Sequence, residues 1–363
     1  MLTTLLTWAV IVLAVIALVR LVRIYELAAE LRGGKNEWEV TEKDNKSNAL
    51  LLMLFMIAFF IFGFWHFFEY KDKILPIAAS EHGAELDWLF NFNMVIIGFV
   101  AVVTNFFLFY FGFKYYGSAK NHKATFFPES HKLELIWTVV PGIALAVIIF
   151  LGIRAWENIT SPPAGDSIVV ELYGKQFDWT ARYAGKDNQL GDRYFRLISD
   201  TNPLGIDNKD PKSQDDIIIR NEFHLPKGKR VYFEFGSRDV LHSAYMPHFR
   251  AQMNCVPGMT TNFHFVPTIT TEEMRKDPQV IQHVADVNRI LTEKGHGGEK
   301  FEFNYLLLCN KICGTNHFNM QMNIIVEEEA QFNEWISKQK TMGEATAGVS
   351  DKSETVLAEK TNK

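Results

Sequence analysis

The sequence is poor in cysteine, with three in 363 residues. That excludes a small secreted scaffold held by disulfides, and it excludes a zinc site of four cysteines. Cys-x-x-Cys-His occurs nowhere, so no c-type haem is attached to this chain. A surplus of positive charge is also missing: 37 Lys and Arg stand against 42 Asp and Glu, for a net charge of −5. With no basic face or stripe to meet phosphates, a nucleic-acid binder is excluded. The shortfall is local, because residues 1–156 hold 13 basic and 13 acidic side chains, whereas 157–363 hold 24 and 29.

Phenylalanine is abundant, 30 against 23 glycines, and the apolar residues crowd into the first 156 positions. Four uncharged apolar stretches stand out, at residues 2–19, 49–68, 93–113 and 135–153. At 1.5 Å per residue each makes a helix of roughly 27 to 31 Å, the thickness of a bilayer's hydrocarbon core. Four membrane spans are therefore expected, since a soluble domain has no way to cover four such lengths. Arg20, Arg23, Arg32, Lys35, Lys43 and Lys46 lie between spans one and two, and Lys114, Lys120, Lys123 and Lys132 between spans three and four. The connection between spans two and three holds only Lys71 and Lys73 against five carboxylates. Basic loops stay in the cytoplasm, which places the N-terminus and everything after residue 154 outside. Span one reads as an anchor, because its basic residues follow the apolar run, where a signal peptide would have them first. Pro141-Gly142 inside span four predicts a local bend.

After Arg154 the chain changes character. Ser161-Pro162-Pro163-Ala164-Gly165 reads as a linker, and strand-like runs come next at 167–172, 177–183, 217–219, 230–235, 262–266, 303–308 and 320–326. The expected fold is membrane-anchored all-β: transmembrane helices, then an extramembrane β-sandwich or barrel. Residues 185–216, rich in Asp, Asn, Lys and Gly, read as a surface excursion. Within 269–300, residues 271–295 read as a helical insertion. Residues 338–363, polar and without aromatics, read as a flexible tail.

The sharpest signal is Cys309-Asn310-Lys311-Ile312-Cys313-Gly314-Thr315-Asn316-His317-Phe318-Asn319-Met320. Two thiols, an imidazole and a thioether fall within twelve residues, and His242, in Asp239-Val240-Leu241-His242-Ser243, supplies a second imidazole from an earlier loop. Soft sulfur with imidazole favours copper. One cysteine would suit a mononuclear site, whereas two thiolates four residues apart can bridge two ions and share one electron between them. A Cys309–Cys313 disulfide and a zinc site are the alternatives. Cys255 reads as a small buried hydrophobe.

These residues resemble cytochrome c oxidase subunit II. That family carries Asp-Val-x-His-Ser, a Pro-Gly step and Cys-x-Glu-x-Cys-Gly-x-x-His-x-x-Met, matched here by Asp239, Val240, His242, Ser243, Pro257, Gly258, Cys309, Cys313, Gly314, His317 and Met320. The likeness extends to residues 173–179 and to 134–141, and covers roughly 85–330 apart from the two insertions. It implies a cupredoxin-like domain holding a dinuclear copper centre, CuA. Cys309 and Cys313 would bridge the coppers, with His242 and His317 as imidazole ligands, Met320 as the weak ligand and the Lys311 carbonyl completing the set. It also implies a bacterial inner (cell) membrane protein whose CuA domain lies on the periplasmic side. Electrons would come from a cytochrome c or another c-type haem protein and pass to haem a of subunit I, where oxygen is reduced and protons are pumped. No catalytic acid, base or nucleophile is assigned to this chain. Glu134 matches a carboxylate at the mouth of a proton channel shared with subunit I, and Phe177 stands where the family has the tryptophan that takes up electrons.

The implied domains are 1–84, an additional region of two spans; 85–156, the family's helical hairpin; 157–337, the CuA domain; and 338–363, the tail. The extra spans are expected to pack on other oxidase subunits. Lys311 replaces a glutamate whose carboxylate helps hold magnesium at the subunit I face, so copper is expected and magnesium loses that ligand. Gln252, Asn254 and Met259 replace a common Lys, Asp and Arg on the same face. A quinol oxidase subunit II would share the fold but has typically lost the copper ligands. Nitrous-oxide reductase has a similar copper domain, and Glu134 with Trp137 favours the oxidase. A membrane-anchored copper-binding or oxidase-assembly protein is the non-catalytic alternative.

Overall fold

The computed structural model describes residues 2–31, 40–118, 123, 126–162, 165–296, 298 and 300–345. Arg32, Lys35, Lys120, Pro163, Ala164 and residues 346–363, all named in the sequence reading, lie outside these. Four long helices come first: α1 (Leu2–Leu31), α2 (Glu42–Tyr70), α3 (Glu81–Lys114) and α4 (His131–Thr160). Each contains one of the four apolar runs and is long and apolar enough to cross a bilayer, which makes this a multi-pass membrane protein. α2 opens on a capping box in which Thr41 Oγ1 accepts from Asp44 N at 3.2 Å and Asp44 Oδ2 accepts from Thr41 N at 3.1 Å. Glu42 and Asp44 in that first turn also suit the positive end of the helix dipole. Pro141 sits within α4, which stays helical on both sides of it.

The chain divides into two compact units, one of Met1–Lys71 with Ile97–His131 and one of Asp72–Ile96 with Lys132–Lys363. In the first, Phe55 and Phe109 pack with ring centroids 5.8 Å apart, and Asn45 Nδ2 donates to Gly117 O at 3.1 Å. Gly112 allows a close approach there, since a Cβ on it would lie 2.7 Å from Leu52.

Among its described residues the second unit contains ten strands: β1 (Ile168–Lys175), β2 (Asp178–Tyr183), β3 (Ile217–Ile219), β4 (Glu222–Pro226), β5 (Val231–Ser237), β6 (His242–Met246), β7 (Ala251–Cys255), β8 (Thr261–Phe265), β9 (Tyr305–Cys309) and β10 (Gln321–Glu327). They form two five-stranded sheets, ordered β3-β2-β1-β5-β8 and β4-β10-β9-β6-β7. β1 runs parallel to β5 and β4 parallel to β10, and the other pairs are antiparallel. Alternation decides the faces. In β5, Val231, Phe233 and Phe235 point inward, and in β10 so do Met322, Ile324 and Val326. Both sets enter one buried cluster with Leu172, Trp179, Phe223 and Tyr305, so the two sheets curl around a shared core. Each fully buried Phe or Leu there contributes about 1.5 to 3 kcal/mol.

Seven of these strands match the extended runs of the sequence, and β4, β6 and β7 do not. Those three carry His224, His242, Ser243, Gln252 and Asn254, polar residues that mask a strand signal even though His242 and Ser243 are fully buried. His242 accordingly begins a strand and does not lie in a loop.

The helical insertion is present in two pieces, α5 (Thr271–Met274) and α6 (Pro278–Glu293). Asp277 caps α6 and Pro278 occupies its first turn, which restarts the helix. After β10 comes α7 (Glu329–Ser337). The excursion at 185–216 is more firmly held than a surface loop. Arg182 donates to Glu171 Oε2 at 2.8 Å, to Asp216 Oδ2 at 3.0 Å and to Gly191 O at 2.9 Å, all buried, and Arg193 pairs with the other oxygen of Glu171. Burial pushes the Asp216 carboxyl up to about 6 against the pull of Arg182. The polar tail begins later than its composition suggests, because Met342 N donates to Asp216 O at 2.8 Å and Gly343 N to Gln214 O at 2.9 Å.

Candidate metal centre

Three pieces of chain converge at one end of the β6–β9 pair. β9 ends on Cys309, directly beside β6, whose first residue is His242. Beyond Cys309 the chain turns back through Gly314 and a short 3-10 turn at His317–Asn319 before Met320 enters β10. Two backbone bonds close the loop, Cys309 N to Met320 O at 3.0 Å and Asn310 N to Ser243 O at 2.9 Å. Gly314 has φ +141. A Cβ on Gly314 would lie 2.8 Å from the Phe177 ring and 2.9 Å from Gln176 Nε2, so only glycine fits.

The donor atoms face one another. Cys309 Sγ and Cys313 Sγ are 3.9 Å apart. Cys309 Sγ lies 3.8 Å from His242 Nδ1 and 3.3 Å from the Lys311 carbonyl oxygen. Cys313 Sγ lies 3.6 Å from His317 Nδ1 and 3.8 Å from Met320 Sδ. His242, Cys309 and Cys313 bring their ligand atoms within 4.8 Å of one another. His242, Cys313 and Met320 are buried, and Cys309 and His317 are half-buried. Both cysteines are free thiols, and their separation is almost twice a disulfide's sulfur–sulfur bond of about 2.0 Å, which removes the disulfide reading.

Surrounding groups set the chemistry of these donors. His242 Nε2 lies 2.9 Å from Asp239 Oδ1, which holds that nitrogen's proton and leaves Nδ1 free to ligate. Burial alone would raise the Asp239 carboxyl, but hydrogen bonds from Gln176 N, His242 and Val240 N outweigh it and lower it. Gln176 Nε2 donates to Cys313 O at 2.5 Å. The His242 ring packs against Gly174, where a Cβ would lie 3.0 Å away, and meets Trp179 edge-on at 6.1 Å. Burial, with the Cys309 sulfur beside it, pushes the Cys313 thiol up to about 11. Metal binding there must displace a firmly held proton.

The chemistry of the donor set fits copper. Two thiols, two imidazoles, a thioether and a carbonyl are placed to meet soft ions, and the buried Met320 sulfur is a donor that zinc seldom uses. Cys255 lies opposite His242 in the β6–β7 register, but it is fully buried and burial pushes its thiol up to about 12. It is a core residue.

Asp239 and Gln176 are the positions whose roles the sequence left unassigned. Asp239 sits three residues before His242, the short spacing that lets a carboxylate turn back onto an imidazole, whereas nothing local marks Gln176. Phe177 is half-buried against the ligand loop at Gly314. Glu134 is remote in sequence from all of these, in the first turn of α4. The side chains of Lys311, Ile312 and Phe318 point outward, the last two 87% and 84% exposed.

Comparison with known proteins finds relatives of one kind. The family described as cytochrome C oxidase subunit II, transmembrane domain, matches residues 68–154. An alternative cytochrome c oxidase subunit 2 from Bradyrhizobium diazoefficiens is 32% identical over 314 residues, covering 85% of this chain and 96% of that protein. A probable cytochrome c oxidase subunit 2 from Rickettsia felis is 25% identical over 75% of this chain and 72% of its own length. Among solved structures, the periplasmic domain of subunit II of cytochrome oxidase from Bradyrhizobium japonicum aligns with 48% of this chain and 94% of its own, at 20% identity and a TM-score of 0.29.

Proposed function

This chain belongs to the cytochrome c oxidase subunit II family, and from that premise we propose that it is the electron-transfer subunit of a terminal oxidase. It accepts electrons from a cytochrome c, or another c-type haem protein, and delivers them to haem a of subunit I, where oxygen is reduced to water and protons are pumped. One observation carries the reading: two cysteine sulfurs, two imidazole nitrogens, a thioether and a carbonyl converge at 3.3 to 3.9 Å from Cys309 or Cys313.

Cys309, Cys313, His242, His317, Met320 and the Lys311 carbonyl would hold the metal, the two cysteines through sulfur, the two histidines through Nδ1 and Met320 as the weak donor. A CuA copper pair held by these residues would supply one-electron transfer. Asp239 keeps the proton of His242 on Nε2. Trp179 stands in the buried core edge-on to the His242 ring, where a dry and rigid wall limits reorganisation.

Ile312 and Phe318 form an apolar rim on which a donor docks, and the acidic surplus of 157–363 steers a basic donor toward it. Phe177, against the same loop, is the point of electron uptake. Glu134 is the mouth of a proton channel shared with subunit I. Lys311 presents an ammonium where a carboxylate would hold magnesium, so this position contributes nothing to such an ion. The basic loops place the β-domain on the outer side of a bacterial cell membrane, and α1 and α2 pack against other oxidase subunits.

The test is to purify the oxidase with the full chain, measure its copper content, and record its low-temperature EPR spectrum. A seven-line hyperfine pattern, from one electron shared between two copper nuclei, is the expected result. A four-line pattern, or zinc in place of copper, would overturn the reading and return the protein to copper carriage or oxidase assembly.

A further inference from the structure

We propose that Arg250 is a positioning residue, a latch that ties the hairpin carrying His242 to the first turns of α3 and thereby holds the ligand site at a set place for electron delivery. The inference rests on the electron-transfer role proposed for this chain.

Arg250 stands at the turn between β6 and β7 with φ +51, in left-handed backbone that arginine has no intrinsic reason to adopt. Such a conformation persists where surrounding contacts over-determine it. Here the contacts are four hydrogen bonds to a side chain only 9% exposed. Arg250 Nε donates to Asp87 Oδ1 at 2.7 Å and Nη2 to Asp87 Oδ2 at 2.9 Å, a bidentate pair. Nη2 also donates to Pro76 O at 2.5 Å, and Nη1 to Pro247 O at 2.7 Å. The side chain thus grips the first turns of α3 through Asp87 and the segment leading into α3 through Pro76. Gly83 makes room for its stem, since a Cβ there would lie 2.9 Å from Ser80 Oγ and 3.4 Å from Arg250 Cγ.

The same leading segment is laced into the β-structure. Ala79 N donates to His248 O at 2.7 Å, Thr268 N to Ala79 O at 2.9 Å and Glu81 N to Val266 O at 3.1 Å. Ser80 Oγ donates to Phe249 O at 2.8 Å, and His248 Nδ1 lies 2.9 Å from Ile77 O. Arg250 adds to this backbone lacing a charged grip on the helix itself. Its hairpin then carries the constraint to the metal site, because Met246 pairs with Ala251 at the latched end and His242 with Cys255 at the other. Four residue steps of strand separate the two ends, about 14 Å, along a ribbon whose β6 strand is largely buried.

The test uses the assembled oxidase with Arg250→Gly and, separately, Asp87→Asn. Glycine takes the left-handed backbone without strain, so the first variant removes the side chain without straining the turn, and the second keeps side-chain shape while removing the charge. Three quantities are read: the low-temperature copper spectrum, the rate of electron passage from the copper site to the haem of subunit I, and hydrogen exchange at Ala79 and Glu81. The expected result is an unchanged copper spectrum, passage slowed about tenfold in both variants, and faster exchange at the two amides. An unchanged rate beside an unchanged spectrum would overturn the proposal. Were the parent enzyme to lack the shared-electron copper signal, the electron-transfer reading would fall on its own, and exchange would still decide the latch: unchanged protection overturns it and faster exchange supports it. If Arg250→Gly does not accumulate, Asp87→Asn decides by the same criteria.

Discussion

The long helices and the β-structure are apolar in opposite directions. In the β-structure Leu172, Phe233 and Tyr305 are fully buried against one another, whereas on α3 and α4 Val95, Phe99 and Phe150 are about two-thirds exposed. Equal hydrophobicity thus serves two purposes. A strand face that closes on its own chain makes a core that can hold metal ligands rigidly, while a helix apolar all round must be covered by lipid or by other proteins. The consequence of a substitution should therefore depend on the surroundings of its side chain and not on how apolar it is.

The largest effect is expected at the centre of the β-structure. Cys313→Ser should abolish the shared-electron copper signal and oxygen consumption with cytochrome c, and Cys255→Ser should preserve both. If Cys255 proved as necessary as Cys313, the contrast between a ligand and a core thiol would break. Next comes packing. Phe233→Ala should destabilise the β-structure by about 3 to 5 kcal/mol, read as a lowered thermal midpoint of the full chain in detergent, while Phe99→Ala should leave that midpoint where it is. Equal losses would mean that helix and core share one cooperative unit.

A smaller effect is expected from the buried ions. The Asp216 carboxyl is raised from 3.8 to about 6 by burial, so the folded state binds its proton more tightly than the unfolded chain does. Its contribution is complete below 3.8 and is lost as pH rises through about 6. Asp216→Asn should therefore flatten the dependence of the thermal midpoint on pH across that window. The smallest effect belongs to Lys338 and Glu334, an exposed pair at 2.6 Å one turn apart at the end of α7. Lys338→Ala should leave the midpoint unchanged, since exposed pairs are screened and mobile, and a measurable drop would show that α7 matters beyond its buried Phe332.

How much of this was legible depended on how local each signal is. The runs at 49–68, 93–113 and 135–153 lie inside α2, α3 and α4, because twenty uncharged apolar residues have few alternatives to a spanning helix. The ligand loop was legible because Cys309, Cys313, His317 and Met320 repeat donor chemistry within twelve positions. Strands β4, β6 and β7 were not, since His224, His242 and Ser243 look like solvent-facing residues until their partners are known. The polar excursion looked exposed for the same reason. Only the pairing of Arg182 with Glu171 and Asp216 shows that three charges can be buried together at a tolerable cost.

Residue order alone settles the long apolar helices, the predominance of strands after Arg154, the candidate metal donors and the family. All of these rest on composition or on spacing along a few turns of chain. It took the packed chain to bring His242 to Cys309 across sixty-seven residues, to set Asp239 and Gln176 as braces of the site, and to carry Arg250 to Asp87 across one hundred and sixty-three. Contacts at such separations are set by strand order, register and the direction in which each side chain points. Those are properties of the whole core, and no window of sequence contains them.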